Sequence, residues 1–179
     1  MTPSDPELIL QCLASDDTAA FGELVRRHQS AVRGFLRQLT HGDAARSDDL
    51  AQETFIRAYR GLGGFRGQSL FGTWVLGIAY NQFRNNERGR RRNPLTDEVA
   101  ENAAAAATGL QSDLRQDLAC ALEQLPADER TALHLNLHLA LSHEEIASAT
   151  GWPLGTVKTH ISRGKARLRA LLSAWNPSQ

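Results

Sequence analysis

The sequence has few aromatic residues, only two cysteines, and no net charge at pH 7. No stretch approaches the ~20 consecutive apolar residues that a membrane span needs, so direct membrane insertion is not expected. The opening MTPSDPELIL has no basic segment followed by a long apolar run, so no secretion signal is expected either. A soluble, cytoplasmic protein is the expectation. Cys12 and Cys120 stand far apart without CxxC spacing, and both read as reduced, buried thiols.

Catalytic signatures are also missing. There is no GxxxxGK phosphate loop and no nucleophile motif. His134 and His138 stand four apart on one helix, which could bring two imidazoles to one metal. However, HLNLH lacks the glutamate of the zinc protease motif, and no third ligand is near in sequence. No metal, no cofactor and no enzymatic activity are expected.

What is present is helix. The chain of 179 residues is 41% hydrophobic, enough for one ordinary domain or two small ones with packed cores. Apolar residues recur at three and four rather than at two, and no strand pattern is convincing. The spacing predicts a first helix over Asp5 to Ala14, with Leu8, Ile9 and Cys12 on one face. A second covers Ala19 to Leu39, with the stripe Phe21, Leu24, Val25, His28, Val32, Phe35, Leu36 and Leu39. Thr40 to Ser47 interrupts it, and a third helix begins near Asp48 with Leu50, Phe55, Ile56 and Tyr59. GLGGFRG, with four glycines in seven residues, ends that helix. A fourth, Leu70 to Arg91, has Phe71, Val75, Ile78 and Gln82 or Phe83 along its inner face.

Residues 93–112, NPLTDEVAENAAAAATGLQS, begin with Asn-Pro, are acidic, and include five consecutive alanines. Alanine favours helix but offers little apolar area to bury, so this segment reads as a flexible linker. The fold class is therefore all-α: two small helical domains, 1–92 and 113–179, joined by that linker. The second domain begins with a helix over Asp113 to Leu125, and Pro126 starts another through Ala140.

The end of the second domain carries the sharpest local pattern. Ser142 followed by Glu145 is a capping box, which places a short helix over His143 to Ala149 with Ile146 and Ala147 inward. Gly151 supplies a left-handed turn and Pro153 suits the first turn of the next helix. A helix-turn-helix results. In its second helix Leu154, Val157, Ile161, Gly164, Leu168 and Leu171 repeat at three and four and face inward.

The charge is sorted along the chain although it sums to zero. Residues 84–92, RNNERGRRR, hold five Arg and one Glu, and residues 155–172 hold five Lys or Arg and no acid. Polyanion binding depends on local charge, so neutrality does not argue against nucleic acid. A helix entering the major groove needs small or polar residues in its first turn and cations beyond them. Gly155, Thr156 and Thr159 suit the approach, Lys158, Arg163, Lys165 and Arg167 suit phosphates, and His160 lies on the same outward face. On the fourth helix Asn81, Arg84, Asn85 and Arg88 form a polar stripe at spacings of three, four and seven, which can lie on a DNA strand.

LSHEEIASATGWPLGTVKTHISRGKARLRALL resembles the fourth conserved region of the extracytoplasmic-function (ECF) sigma factors, which binds the −35 promoter element. DDLAQETFIRAYRGLGGFRGQSLFGTWVLGIAYNQFRNNERGRRR, residues 48–92, resembles their second region, which binds core RNA polymerase and opens the −10 element. The resemblance implies a pocket for a flipped −10 base in the glycine-rich loop, lined by Phe65, Arg66 and Gln68. Trp74 lies in the same motif, with packing as the competing reading. Family members often carry an acid where Gln68 stands and Asp where Asn85 stands, so base preference does not transfer.

By the same resemblance, Asp48, Asp49, Leu50, Gln52, Glu53 and Phe55 match the contact with a coiled coil of the polymerase β′ subunit. Acids near a helix start are also favoured by its dipole, which by itself accounts for Asp48 and Asp49. The family implies three partners: core RNA polymerase through β′ and β, promoter DNA, and an anti-sigma factor. The competing reading is a two-domain regulator, because GTVKTHISR also resembles the recognition helix of LuxR-type activators. Such a protein would bind duplex DNA without core polymerase.

Overall fold

The computed structural model describes residues 2–15, 17–92, 118 and 120–173, and among them there is no strand. The expected linker over 93–112 lies outside the described residues, as does much of the expected helix over 113–125, of which residues 118 and 120–123 are seen as helix. Contacts divide the chain into two compact units, one built on the helices before residue 93 and the other on most of the residues from 120 onward.

The first unit contains α1 (Asp5–Ser15), α2 (Thr18–Leu39), α3 (Ala44–Gly61), a single 3-10 turn (Leu62–Gly64) and α4 (Phe71–Arg92). Asp17 starts α2 by accepting the amides of Ala19 and Ala20 at 2.9 and 3.2 Å. Asp43 starts α3 by accepting the amide of Arg46 at 3.0 Å. Helix α3 thus begins one turn earlier than the expected Asp48. The connection is only Thr40 to Asp43, closed by His41 and Gly42 at positive φ. Ser47, expected in the break, is instead a buried helical residue whose hydroxyl donates to the Asp43 carbonyl at 2.6 Å.

Leu24, Val32, Phe35 and Leu36 of α2 are at most 1% exposed, and Val75 and Ala79 of α4 are fully buried against the same core. Two members of the expected α2 stripe, Val25 and His28, are only half-buried. On α3 Ile56 is 39% exposed rather than inward. An ion-pair cluster ties α1 to α2: Asp5 accepts from Arg27 at 2.9 Å and pairs with His28 at 2.6 Å, and Glu23 accepts from both Arg26 and Arg27. Those two guanidinium hydrogen bonds hold the Glu23 carboxyl down to about 2.

The second unit contains α5 (Ala127–Leu133), a wide π-helical turn (His134–His138), most of α6 (His143–Thr150) and α7 (Leu154–Ser173). The helix expected through Ala140 thus changes pitch at His134 and ends at His138. Burial of its 134 imidazole and the nearby His138 push the His134 pKa down to about 4. Leu133, Leu135, Ile146, Val157 and Ile161 form the core. Ala147, expected inward, is half-buried. Cys12 is buried as expected, but Cys120 is exposed. Among the described residues no helix is long and apolar enough to cross a membrane, and no group of three or more metal-ligating side chains occurs.

Candidate nucleic-acid interface

The helix-turn-helix forms as the local chemistry dictates. The Ser142 hydroxyl accepts the Glu145 amide at 3.2 Å, while Glu145 accepts the Ser142 amide at 2.9 Å. Gly151 ends α6 at φ 71°, a conformation without steric cost for glycine. The Pro153 carbonyl then accepts the amides of Thr156 and Val157 at 2.9 and 3.1 Å, which launches α7.

On α7 Gly155, Lys158, Thr159 and Arg163 are exposed, and Thr156 and His160 are half-buried. Thr159 donates its hydroxyl to the Gly155 carbonyl at 2.8 Å, so its outward oxygen is left as an acceptor. The His160 ring lies 5.0 Å from that of Trp152, which fixes it beside the turn. The other two cations expected at phosphates turn toward the domain itself, while the fifth cation of the helix, Arg169, is exposed. Lys165 reaches Asn136 at 3.5 Å, and Arg167 reaches Glu129 at 3.4 Å. Leu154, expected inward, is 37% exposed at the first position of α7, whereas Val157 one turn later is fully covered. Ser162 is exposed three residues after Thr159 and seven after Gly155. It shares their face, and that spacing was available in the sequence.

In the first unit, Asn81, Asn85 and Arg88 are exposed along α4. Arg84 lies partly covered, its guanidinium 5.7 Å from the centre of the Tyr80 ring. The structure therefore keeps these four residues as one polar stripe. In the preceding loop Arg66 and Gln68 are exposed, whereas Phe65 is half-buried with its ring 5.0 Å from Trp74 and 6.0 Å from Phe71. Trp74 is half-buried against Phe71 at 5.8 Å and over Gly61. Packing thus accounts for its inner edge. His28 meets Phe71 at 5.3 Å, so the α1 to α2 ion cluster also supports this aromatic group.

A groove of about 900 Å³ runs between α2 and α3. Asp48, Asp49, Gln52 and Phe55 line it, together with Phe21, Val25, Ile56 and Tyr59. Four of the six residues matched to the polymerase contact are thereby brought to one surface. Leu50 is 8% exposed and absent from the lining, and Glu53 pairs with Arg57 at 2.7 Å along its own helix. The apolar floor, with Phe21 and Tyr59 rings 4.9 Å apart, was not legible as a surface, because the same spacing serves a core.

Comparison with known proteins bears on both regions. A family model described as Sigma-70 region 2 matches residues 24–93, and one described as Sigma-70, region 4 matches residues 115–168. The chain is 35% identical over 179 residues to the RNA polymerase sigma-H factor of Pseudomonas aeruginosa, with 92% of each chain covered. It is 34% identical over 174 residues to the ECF RNA polymerase sigma-E factor of Escherichia coli (strain K12), with 89% of this chain and 90% of that one covered.

Among solved structures it is similar to the sigma factor RpoE in complex with the anti-sigma factor NepR from Bartonella quintana. That likeness has a TM-score of 0.71 and 30% identity, over 86% of this chain and 96% of the other. A second is CnrH in complex with the cytosolic domain of CnrY, with a TM-score of 0.70 and 29% identity, over 95% and 97% of the two chains. A LuxR-type regulator is not favoured, because the region 2 match occupies the first domain. The chain belongs to the ECF sigma factors of the sigma-70 family, and its function is promoter-directed initiation of transcription with RNA polymerase.

Proposed function

We propose that the two units divide promoter recognition between them, with residues 1–92 as one domain, 113–179 as the other and 93–112 as the tether. In the first, the groove between α2 and α3 takes the β′ coiled coil. Its mixed lining, acidic at Asp48 and Asp49 and apolar at Phe21, Phe55 and Ile56, supports this reading. The loop residues Phe65, Arg66 and Gln68, the outer edge of Trp74, and the stripe Asn81, Arg84, Asn85 and Arg88 capture the unpaired −10 strand.

In the second, α7 enters the major groove at the −35 element. Gly155, Thr156, Thr159 and His160 approach the bases, and Lys158 and Arg163 meet phosphates. The single observation that carries this assignment is the acid-free outward face of α7 behind a capped, glycine-turned α6. The protein acts in the cytoplasm without intrinsic catalysis, and an anti-sigma factor covers these surfaces when it is held inactive.

The test combines purified protein, core polymerase and promoter DNA. Promoter-specific transcripts that appear only with all three present are the expected result. Duplex binding with no effect on core polymerase would overturn the assignment.

A further inference from the structure

Helix α7 holds five cations and no acid, yet its cations do not all have the same surroundings. Glu129 on α5 is a carboxylate of which only 5% is exposed. Its Oε2 atom is buried without a hydrogen bond among the described residues, and the Nε of Arg167 lies 3.4 Å from it. A carboxylate in that position must keep its counter-charge, because a buried charge that loses its partner is strongly disfavoured. Arg167, whose own side chain is 57% exposed, is that counter-charge. Arg163 lies one turn earlier on the same side of the helix and is exposed.

We infer that Glu129 is a positioning residue that withholds Arg167 from the DNA backbone, so that α7 makes one phosphate contact fewer than its charge count implies. This rests on α7 being the −35 helix. Moving Arg167 to a phosphate would strand Glu129 inside the domain, and the gain of one surface contact does not offset that. Glu129 thereby lowers the sequence-independent part of DNA affinity and leaves a larger share of binding to the first turn of α7, where bases are read.

The test is the salt dependence of promoter binding by holoenzyme carrying variants of the full chain. Arg163→Ala should reduce the slope of log K against log salt by about 0.9, the loss of one phosphate contact. Arg167→Ala should leave the slope unchanged. Glu129→Gln should steepen it by about 0.9 by releasing Arg167, and adding Arg167→Ala to Glu129→Gln should restore the original slope. A slope lowered equally by Arg167→Ala and Arg163→Ala, with Glu129→Gln silent, overturns the inference.

If Arg163→Ala is silent too, the orientation of α7 fails, and the pairing is decided by unfolding. The four proteins of the 129/167 cycle should then show a coupling of about tenfold in the unfolding constant. Additive effects in that cycle overturn the pairing, and the double variant guards against misfolding of Arg167→Ala alone.

Discussion

Gly164 of α7 lies directly against Leu133 of α5: a Cβ at Gly164 would stand 3.0 Å from Leu133 Cδ1, 3.1 Å from its Cγ and 3.4 Å from Glu129 Cβ. The absence of a side chain sets how closely α7 docks on α5. Gly164→Val should cost about 2 kcal/mol through overpacking, with Gly164→Ala costing less because the end of Leu133 can shift. Denaturant unfolding followed by circular dichroism measures this, and equal stability of Gly164→Val would show slack between the helices.

The half-buried His134 gives the second domain a pH dependence. Its folded pKa, about 4, lies below the ordinary unfolded value of about 6.5, so the unfolded chain binds the extra proton between those two values. The contribution of the neutral ring is complete above about pH 6.5 and is lost as pH falls toward 4. After a discount for partial solvent access, unfolding at pH 5 should be easier than at pH 7 by about 1 kcal/mol. His134→Gln should remove most of that difference in matched unfolding curves.

The capping box of α6 makes a separate prediction. Ser142→Ala deletes the acceptor for the Glu145 amide and should cost about 1 kcal/mol. Ser142→Asp should recover most of it. Thermal unfolding of the three proteins decides the matter.

In the α2 to α3 groove, Ile56 is exposed enough to be replaced without disturbing the core. Ile56→Asp should weaken association with core polymerase at least about tenfold while leaving thermal unfolding unchanged. Competition against a labelled sigma factor for core polymerase reads this directly. Undiminished competition would remove the groove from the polymerase contact.

On α4, replacing Asn81 and Arg84 together by alanine should impair strand opening more than closed-complex formation. Permanganate footprinting of unpaired thymines against a gel-shift of the closed complex separates the two steps. Loss of the closed complex instead would place the stripe on duplex DNA.

Much of this was readable before any coordinates. Helices α1, α2 and α4 declared themselves by spacing, and α6 and α7 by local punctuation, since Ser142, Glu145 and Gly151 each act within a few residues of themselves. The start of α3 was missed by one turn because Asp43, Ser47, Asp48 and Asp49 all offer plausible caps, and only the fold selects Asp43. The exposure of Ile56 and Leu154 was not legible, because periodicity marks an apolar face without revealing how far a neighbour covers it. The Glu129 to Arg167 pair joins residues on separate helices, and such a pairing exists only once α5 and α7 are packed.

The π-helical turn at His134–His138 closes on itself: Leu139 donates to the His134 carbonyl, Leu141 to that of Leu135, and the Asn136 amide to Leu141. A widened turn of this kind is geometrically an α-helix with one residue inserted. The extra residue is taken up inside the widened turn, so removing a single residue there would return an ordinary i→i+4 turn and leave the angular phase of the flanking segments nearly unchanged. The stretch ahead of α6 and α7 consequently has built-in slack of one residue, and natural length variation in the second unit should be tolerated here by gain or loss of that residue.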